Sequence, residues 1–147
     1  MSGPKHIVVG AGGHARVLIK ALQRHGAEII GITDANPALK GKQIAGLLVL
    51  GPDDLLGDYS REVLLVNGLG SVSSMTSRRA VFERLHGLGF KFVTVVHPSA
   101  ICEDDALLGE GAQVMAGVVI QIGCSFGPNS IVNTRATIDH DCQIGAH

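Results

Sequence analysis

VHPSAI-CEDDAL-LGEGAQ-VMAGVV-IQIGCS-FGPNSI-VNTRAT-IDHDCQ-IGAH runs from Val96 to His147 and, cut into sixes, decides the fold. The blocks open on Val96, Cys102, Leu108, Val114, Ile120, Phe126, Val132, Ile138 and Ile144, and none of the nine is polar or charged. Four positions later comes a small or β-branched residue: Ala100, Ala106, Ala112, Val118, Cys124, Ser130, Ala136 and Cys142. A helix repeats every ~3.6 residues and a half-buried strand every ~2, so neither yields this pairing; six-residue repeats mark a parallel β-helix. Three hexapeptides make one triangular coil, which stacks residues 18 apart along the axis. Cys124 and Cys142 are such a pair and read as small core residues in a ladder, while Cys102 takes an aliphatic slot. Glycine follows the aliphatic position in Leu108-Gly109, Phe126-Gly127 and Ile144-Gly145, where a corner must turn. The 52 residues from 96 to 147 make just under three coils and stop inside a hexapeptide without a capping element. An uncapped solenoid exposes its last coil, so the expectation is a truncated β-helix that continues beyond His147 in the parent gene.

Upstream, residues 1–95 alternate between strand and helix. His6 to Val9 is a short apolar run that stops at Gly10-Ala11-Gly12-Gly13-His14, after which Ala15, Val17, Leu18, Ala21 and Leu22 recur at helical spacing. The helix is expected to end near His25-Gly26, with glycine as the left-handed residue past the last turn. Glu28 to Thr33 reads as a second strand ending at Asp34, with Asn36-Pro37 as a turn, so the unit is βαβ. Gly46 to Leu50 is a third strand, Pro52-Asp53-Asp54 starts a short helix, Glu62 to Val66 is a fourth strand, and Asn67-Gly68-Leu69-Gly70-Ser71 closes it. A helix from about Met75 to His86, closed by Gly87 or Gly89, leads to a fifth strand from Phe90 to Val96. Such alternation predicts a parallel sheet with helices on its faces.

Ligands of these sheets lie outside the carboxyl ends of the strands, here the loops at 10–14, 34–36 and 67–71. Gly10-x-Gly12-x-x-Ala15 fits a dinucleotide fingerprint, with Asp34 where a ribose-binding acid is expected. Glycines there let the backbone approach a pyrophosphate while the helix dipole favours its charge. His14 adds a side-chain donor beside that position.

Composition narrows the partners. Twelve Lys plus Arg against thirteen Asp plus Glu leave a net charge of -1, with no basic excess for nucleic acid. The apolar stretches fall far short of the ~20 residues that cross a bilayer, and Met1-Ser2-Gly3-Pro4-Lys5-His6 leads into a strand rather than a signal peptide. No membrane association and a cytoplasmic location are the expectation. Three cysteines, odd in number and without a C-x-x-C pair, suit neither a disulfide framework nor a metal knot. Twenty glycines and 3% aromatics predict a core of Val, Ile, Leu and Ala in closely approaching layers.

Outward-facing positions of a solenoid are free for chemistry. Asn133-Thr134-Arg135-Ala136-Thr137-Ile138-Asp139-His140-Asp141-Cys142 sets one histidine between two carboxylates. A carboxylate fixes the imidazole tautomer and raises its basicity, as a general base for an amine or hydroxyl requires. His140 is the candidate base, oriented by Asp139 or Asp141. A metal site is not expected, because two further ligands are not evident.

The opening Val8-Val9-Gly10-Ala11-Gly12-Gly13-His14, then His97-Pro98-Ser99-Ala100 leading into hexapeptides, then Ile138-Asp139-His140-Asp141-Cys142-Gln143-Ile144-Gly145 together resemble the sialic-acid O-acetyltransferase family of hexapeptide-repeat acyltransferases. That family includes the bacillosamine-type N-acetyltransferases of UDP-linked amino sugars. The resemblance implies an α/β fold, with a Rossmann-like parallel sheet over 1–95 for the nucleotide sugar and a left-handed parallel β-helix from 96 that forms a homotrimer. It implies acetyl-CoA as co-substrate, held between adjacent β-helices mostly by residues beyond His147, and acetylation of an amino or hydroxyl group of a nucleotide-linked sugar or sialic acid. By position, His140 matches the catalytic base, Asp141 its acidic neighbour, and Gly12, Gly13, His14 and Asp34 the substrate loop. Asn67-Gly68 matches a Gly-Asn loop with the order reversed. The alternatives are a non-catalytic nucleotide-sugar-binding module with an oligomerising β-helix stub, and an NAD-dependent enzyme supported by the glycine loop alone.

Overall fold

In the computed structural model, which describes residues 3–71 and 75–147, the first apolar run is β1 (Lys5–Val9), buried from His6 onward. Its side chains alternate between two faces. Ile7 and Val9 join Leu56, Leu65, Leu85, Phe90 and Phe92 in one buried cluster, whereas Val8 lies toward Ala15 of α1 (Gly13–Arg24) on the other face. The turned face of α1 buries Ala15, Leu18, Ile19, Ala21 and Leu22, and the helix closes on Gly26 (φ 71°), whose N–H donates to Gln23 O at 3.0 Å.

β2 (Glu28–Thr33) pairs parallel to β1, setting Val9 beside Thr33. The third predicted strand is a hairpin: β3 (Gln43–Ile44) runs antiparallel to β4 (Leu47–Gly51) across Ala45-Gly46, both at positive φ (51° and 80°). Two left-handed residues in a two-residue loop match the twist of the paired strands. β5 (Leu64–Asn67), α2 (Met75–Gly87) and β6 (Lys91–Phe92) complete a sheet of order β3-β4-β2-β1-β5-β6, parallel apart from β3. The carboxyl ends of β1, β2 and β5 therefore lie side by side.

The predicted strand from Phe90 to Val96 is two strands. Lys91–Phe92 closes the sheet, and β7 (Val95–Val96) pairs instead with β10 (Gln113–Val114). The chain accordingly divides into two compact units, 1–92 and 93–147. In the second unit β8 (Ile101–Cys102), β9 (Leu107–Leu108), β11 (Val119–Ile120), β12 (Ser125–Phe126), β13 (Ile131–Val132), β14 (Thr137–Ile138) and β15 (Gln143–Ile144) follow at six-residue intervals. They form three three-stranded parallel sheets, β13-β10-β7, β14-β11-β8 and β15-β12-β9, with every partner 18 residues away. This is the stacking of a parallel β-helix.

Burial follows the repeat. Val114, Val118, Ile120, Cys124 and Phe126 are at most 4% exposed in the middle coil, while Ile144 in the last is 37% exposed. An inward residue loses its water most fully with a coil on both sides; Val132, which opens the last coil, is still buried at 5%, but burial fades toward Ile144, so the middle coil carries most of the hydrophobic stabilisation. At one corner Gly109 and Gly127 stack. A β-carbon on Gly109 would lie 2.6 Å from Pro128 N, so only glycine lets successive coils approach there.

Candidate functional site

In the first unit the glycine loop is fixed from below by backbone bonds. Gly10, at φ 94°, donates its N–H to Thr33 O at 2.7 Å, and Gly68 donates to Val9 O at 2.7 Å. Asp34 accepts the N–H of Ala11 at 2.9 Å through Oδ2 and that of Asn36 at 2.8 Å through Oδ1. The carboxylate thus ties the end of β2 to the glycine loop and retains a second lone pair on each oxygen. Gly12 is the N-cap of α1, in extended conformation and without a side-chain cap, and no acidic residue stands in the first turn. The positive end of the helix therefore opens on a cleft of about 520 Å³ lined by Gly12, Gly13, His14 and Asp34 on one side and by Gly68, Leu69 and Gly70 on the other. Backbone N–H groups at the start of α1, with a favourable dipole and no acidic residue in the first turn, suit an anionic group such as a phosphate, while the Asp34 carboxylate at the end of β2 suits a hydroxyl donor.

Of the substrate residues expected from sequence, Gly12, Gly13, His14 and Asp34 meet in this cleft, and Asn67 does not line it. Asn67 is 1% exposed: its Nδ2 donates to Arg78 O at 3.2 Å and its Oδ1 accepts the N–H of Leu69 at 3.2 Å. It shapes the loop from behind. Arg78, which sequence reasoning missed, does the same with a charge. It is 1% exposed and donates through Nη1 to the carbonyls of Asn67 (3.2 Å) and Leu69 (2.5 Å). Burial lowers its guanidinium to about 10. The signal was present: Arg78, Val81, Phe82 and Leu85 stand at i, i+3, i+4 and i+7, the spacing of a buried helical face.

In the second unit His140 and Asp141 sit at an exposed corner between β14 and β15. Asp141 adopts a left-handed backbone (φ 58°), held by its N–H to Ile122 O at 2.9 Å. This turns its carboxylate onto the preceding residue, with Oδ2 2.8 Å from His140 Nδ1. Asp139 serves the backbone instead, its Oδ1 accepting the His140 N–H at 2.9 Å. Of the two carboxylates, Asp141 is the one on the imidazole. The bond to Asp141 first, and the charges of Asp139 and Asp141 next, raise the His140 pKa above its ordinary value. A carboxylate at Nδ1 keeps the proton there and leaves Nε2 of the neutral ring as the basic atom, facing solvent. Cys124 Sγ lies 3.0 Å from Asp139 O in the wall behind. Among the described residues no three His, Cys, Asp or Glu side chains cluster as metal ligands, and no helix is long and apolar enough to cross a membrane.

Comparison with known proteins places these features. The chain is 26% identical over 143 residues to GDP-perosamine N-acetyltransferase of Escherichia coli, covering 94% of this chain and 63% of that protein. It is 35% identical over 113 residues to UDP-N-acetylbacillosamine N-acetyltransferase of Bacillus subtilis, covering 74% of this chain and 50% of that one. The crystal structure of PerB from Caulobacter crescentus, in complex with CoA and GDP-perosamine, matches with a TM-score of 0.86 at 35% identity, over 97% of this chain and 66% of that one. The chain thus spans about half to two thirds of the length of these relatives. The model of the PglD N-terminal domain matches residues 5–85, more than half of the chain. With its glycine loop, its Asp34 anchor and the parallel strands β4, β2, β1 and β5 within that span, the chain belongs to the PglD N-terminal domain family.

Proposed function

We propose that this protein is an acetyl-CoA-dependent N-acetyltransferase acting on the amino group of a nucleotide-linked sugar, with His140 as general base. In this reading the first unit is a Rossmann-like nucleotide-sugar domain, the second is a left-handed β-helix, and the working assembly is a homotrimer. The carrying observation is the exposed His140 imidazole held at Nδ1 by Asp141 at 2.8 Å. The N-acetyltransferase relatives favour an amine over a hydroxyl as acceptor.

The chemistry follows from the residues. The cleft at the start of α1 holds the diphosphate against the N–H groups of the glycine loop, with His14 beside it and the free lone pairs of Asp34 available to a ribose hydroxyl. Acetyl-CoA supplies the acetyl group as a thioester. His140 Nε2 accepts a proton from the sugar amine as the amine nitrogen bonds to the thioester carbonyl carbon. The carbon–sulfur bond then breaks, and the imidazolium returns its proton to the departing thiolate. Asp141 keeps the ring oriented and stabilises its charge throughout.

The test is release of CoA thiol from acetyl-CoA in the presence of GDP- or UDP-linked 4-amino sugars, with the product's mass raised by one acetyl group. His140→Ala is expected to abolish turnover and to leave nucleotide-sugar binding intact by calorimetric titration. Unchanged turnover in that variant would refute the base assignment. Binding without turnover in the unaltered protein would instead support a binding module, and binding of NAD alone would end the transferase reading.

A further inference from the structure

We propose that Gly123 is a positioning residue for the His140 imidazole, because the side chain it lacks is the space in which the Asp141 carboxylate lies. As a statement about catalysis, this rests on the acetyl-transfer reading. Gly123 and Asp141 occupy the same corner of successive coils, both with left-handed backbone (φ 77° and 58°). A β-carbon on Gly123 would overlap Asp141 Oδ1 and lie 3.3 Å from its Cγ. The other oxygen, Oδ2, is the one on His140 Nδ1 at 2.8 Å. A carboxylate is rigid, so pushing Oδ1 aside swings Oδ2 off the imidazole.

Backbone conformation favours glycine at all three corners of this coil, with Gly111 and Gly117 at φ 72° and 68°, but does not by itself require it. Asn129 and Arg135 hold left-handed corners of the same coil system at φ 59° and 60° without being glycine. What distinguishes position 123 is its neighbour in the next coil. The corner is also fixed from the preceding coil, where Asp105 Oδ2 accepts the Gly123 N–H at 2.9 Å. Asp105, Gly123 and Asp141 thus form one column 18 residues apart. The charged groups facing the imidazole are Asp139 and Asp141, with Asp105 further along the same column.

The test pairs Gly123→Ala with Gly117→Ala in the full chain. Gly117 has the same left-handed backbone (φ 68°), but its β-carbon would meet mainly the flexible Arg135 Cγ at 3.1 Å, so it imposes the same backbone strain without touching Asp141. The readout is the His140 imidazole titration by NMR, identified by its loss in His140→Ala. In Gly123→Ala the pKa is expected to fall to that of Asp141→Asn, and in Gly117→Ala to stay at the unaltered value. In the acetyl-transfer assay kcat falls about tenfold or more with KM for the nucleotide sugar unchanged, and adding Asp141→Asn to Gly123→Ala lowers it no further. If Gly123→Ala does not fold, Gly123→Asn carries the same β-carbon on a residue that tolerates the left-handed region. A His140 pKa unchanged in these variants overturns the proposal. A pKa that falls as expected in a protein that transfers no acetyl group upholds the positioning and overturns the functional reading alone.

Discussion

Gly68→Ala and Gly12→Ala separate what the glycine cleft owes to packing from what it owes to access. A β-carbon at Gly68 would lie 2.7 Å from Val9 O, 2.8 Å from Ala15 Cβ and 2.9 Å from Val8 Cγ1. Each is well inside the ~3.5 Å at which non-bonded atoms settle. None of the three can yield cheaply: Val9 O accepts the Gly68 N–H at the end of β1, Ala15 is on the buried face of α1, and Val8 is 0% exposed. Overpacking of this kind costs about 1–3 kcal/mol, and three rigid neighbours put the expected loss at the upper end, about 3 kcal/mol. For a unit of this size that corresponds to a fall in Tm of about 10–20 °C. At Gly12 the same methyl meets nothing within 4 Å and projects where the cleft is open, so the cost is only that of alanine in place of glycine at an N-cap, about 1 kcal/mol or less, while nucleotide-sugar affinity falls. The chain has no Trp and a single tyrosine, Tyr59, packed against the core of the first unit, so tyrosine fluorescence in a urea titration follows that unit alone. Equal stability of the two variants would refute the packing argument.

Other outcomes follow from the same geometry. Because the His140 pKa is raised, the imidazole is protonated to a higher pH than usual, so kcat/KM rises with pH through that pKa. Asp141→Asn should move the rise to lower pH and reduce the plateau, and a pH–rate profile beside the NMR titration checks both. Arg78→Met leaves the Asn67 and Leu69 carbonyls without their buried donor; a loss of about 2–3 kcal/mol and weakened nucleotide-sugar binding are expected, measured by scanning and titration calorimetry. In the β-helix, Ile120→Ala should cost about 3 kcal/mol and Ile144→Ala under about 1, read from hydrogen exchange of the Val119 and Gln121 amides.

The repeat was legible because hexapeptide stacking puts a strict demand on every sixth residue. Val114, Ile120 and Phe126 could be assigned to the interior before any coordinate. The βαβ opening was legible for a similar reason, since a short apolar run followed by glycines and a 3.6-residue rhythm has few other solutions. Other features depend on tertiary context. The two-residue strand Gln43–Ile44 is too short to show a period, and only its partner Leu47–Leu48 defines it. Arg78 drew no notice because arginine is usually solvated, although its spacing with Val81, Phe82 and Leu85 lies on the buried face of the helix. The choice between Asp139 and Asp141 turned on a single backbone angle, the positive φ of Asp141, which neither residue's identity announces. Asn67 was read as a ligand of substrate from its place in the chain, whereas its side chain is buried and bonded to the Arg78 carbonyl and the Leu69 N–H.

Every strand of the second unit finds its partner 18 residues away, so three hexapeptides return the chain to the same wall. Removing one block, such as 114–119, would preserve each local six-residue pattern and yet carry everything after it one face around the triangle. The imidazole would then emerge from a different wall of the coil, still stacked on Gly123, which shifts with it, but out of column with Asp105. Lineages can therefore lengthen or shorten this scaffold ahead of His140 without re-aiming it only in whole turns, a spacing rule that alignments of related chains should display as gaps of eighteen residues.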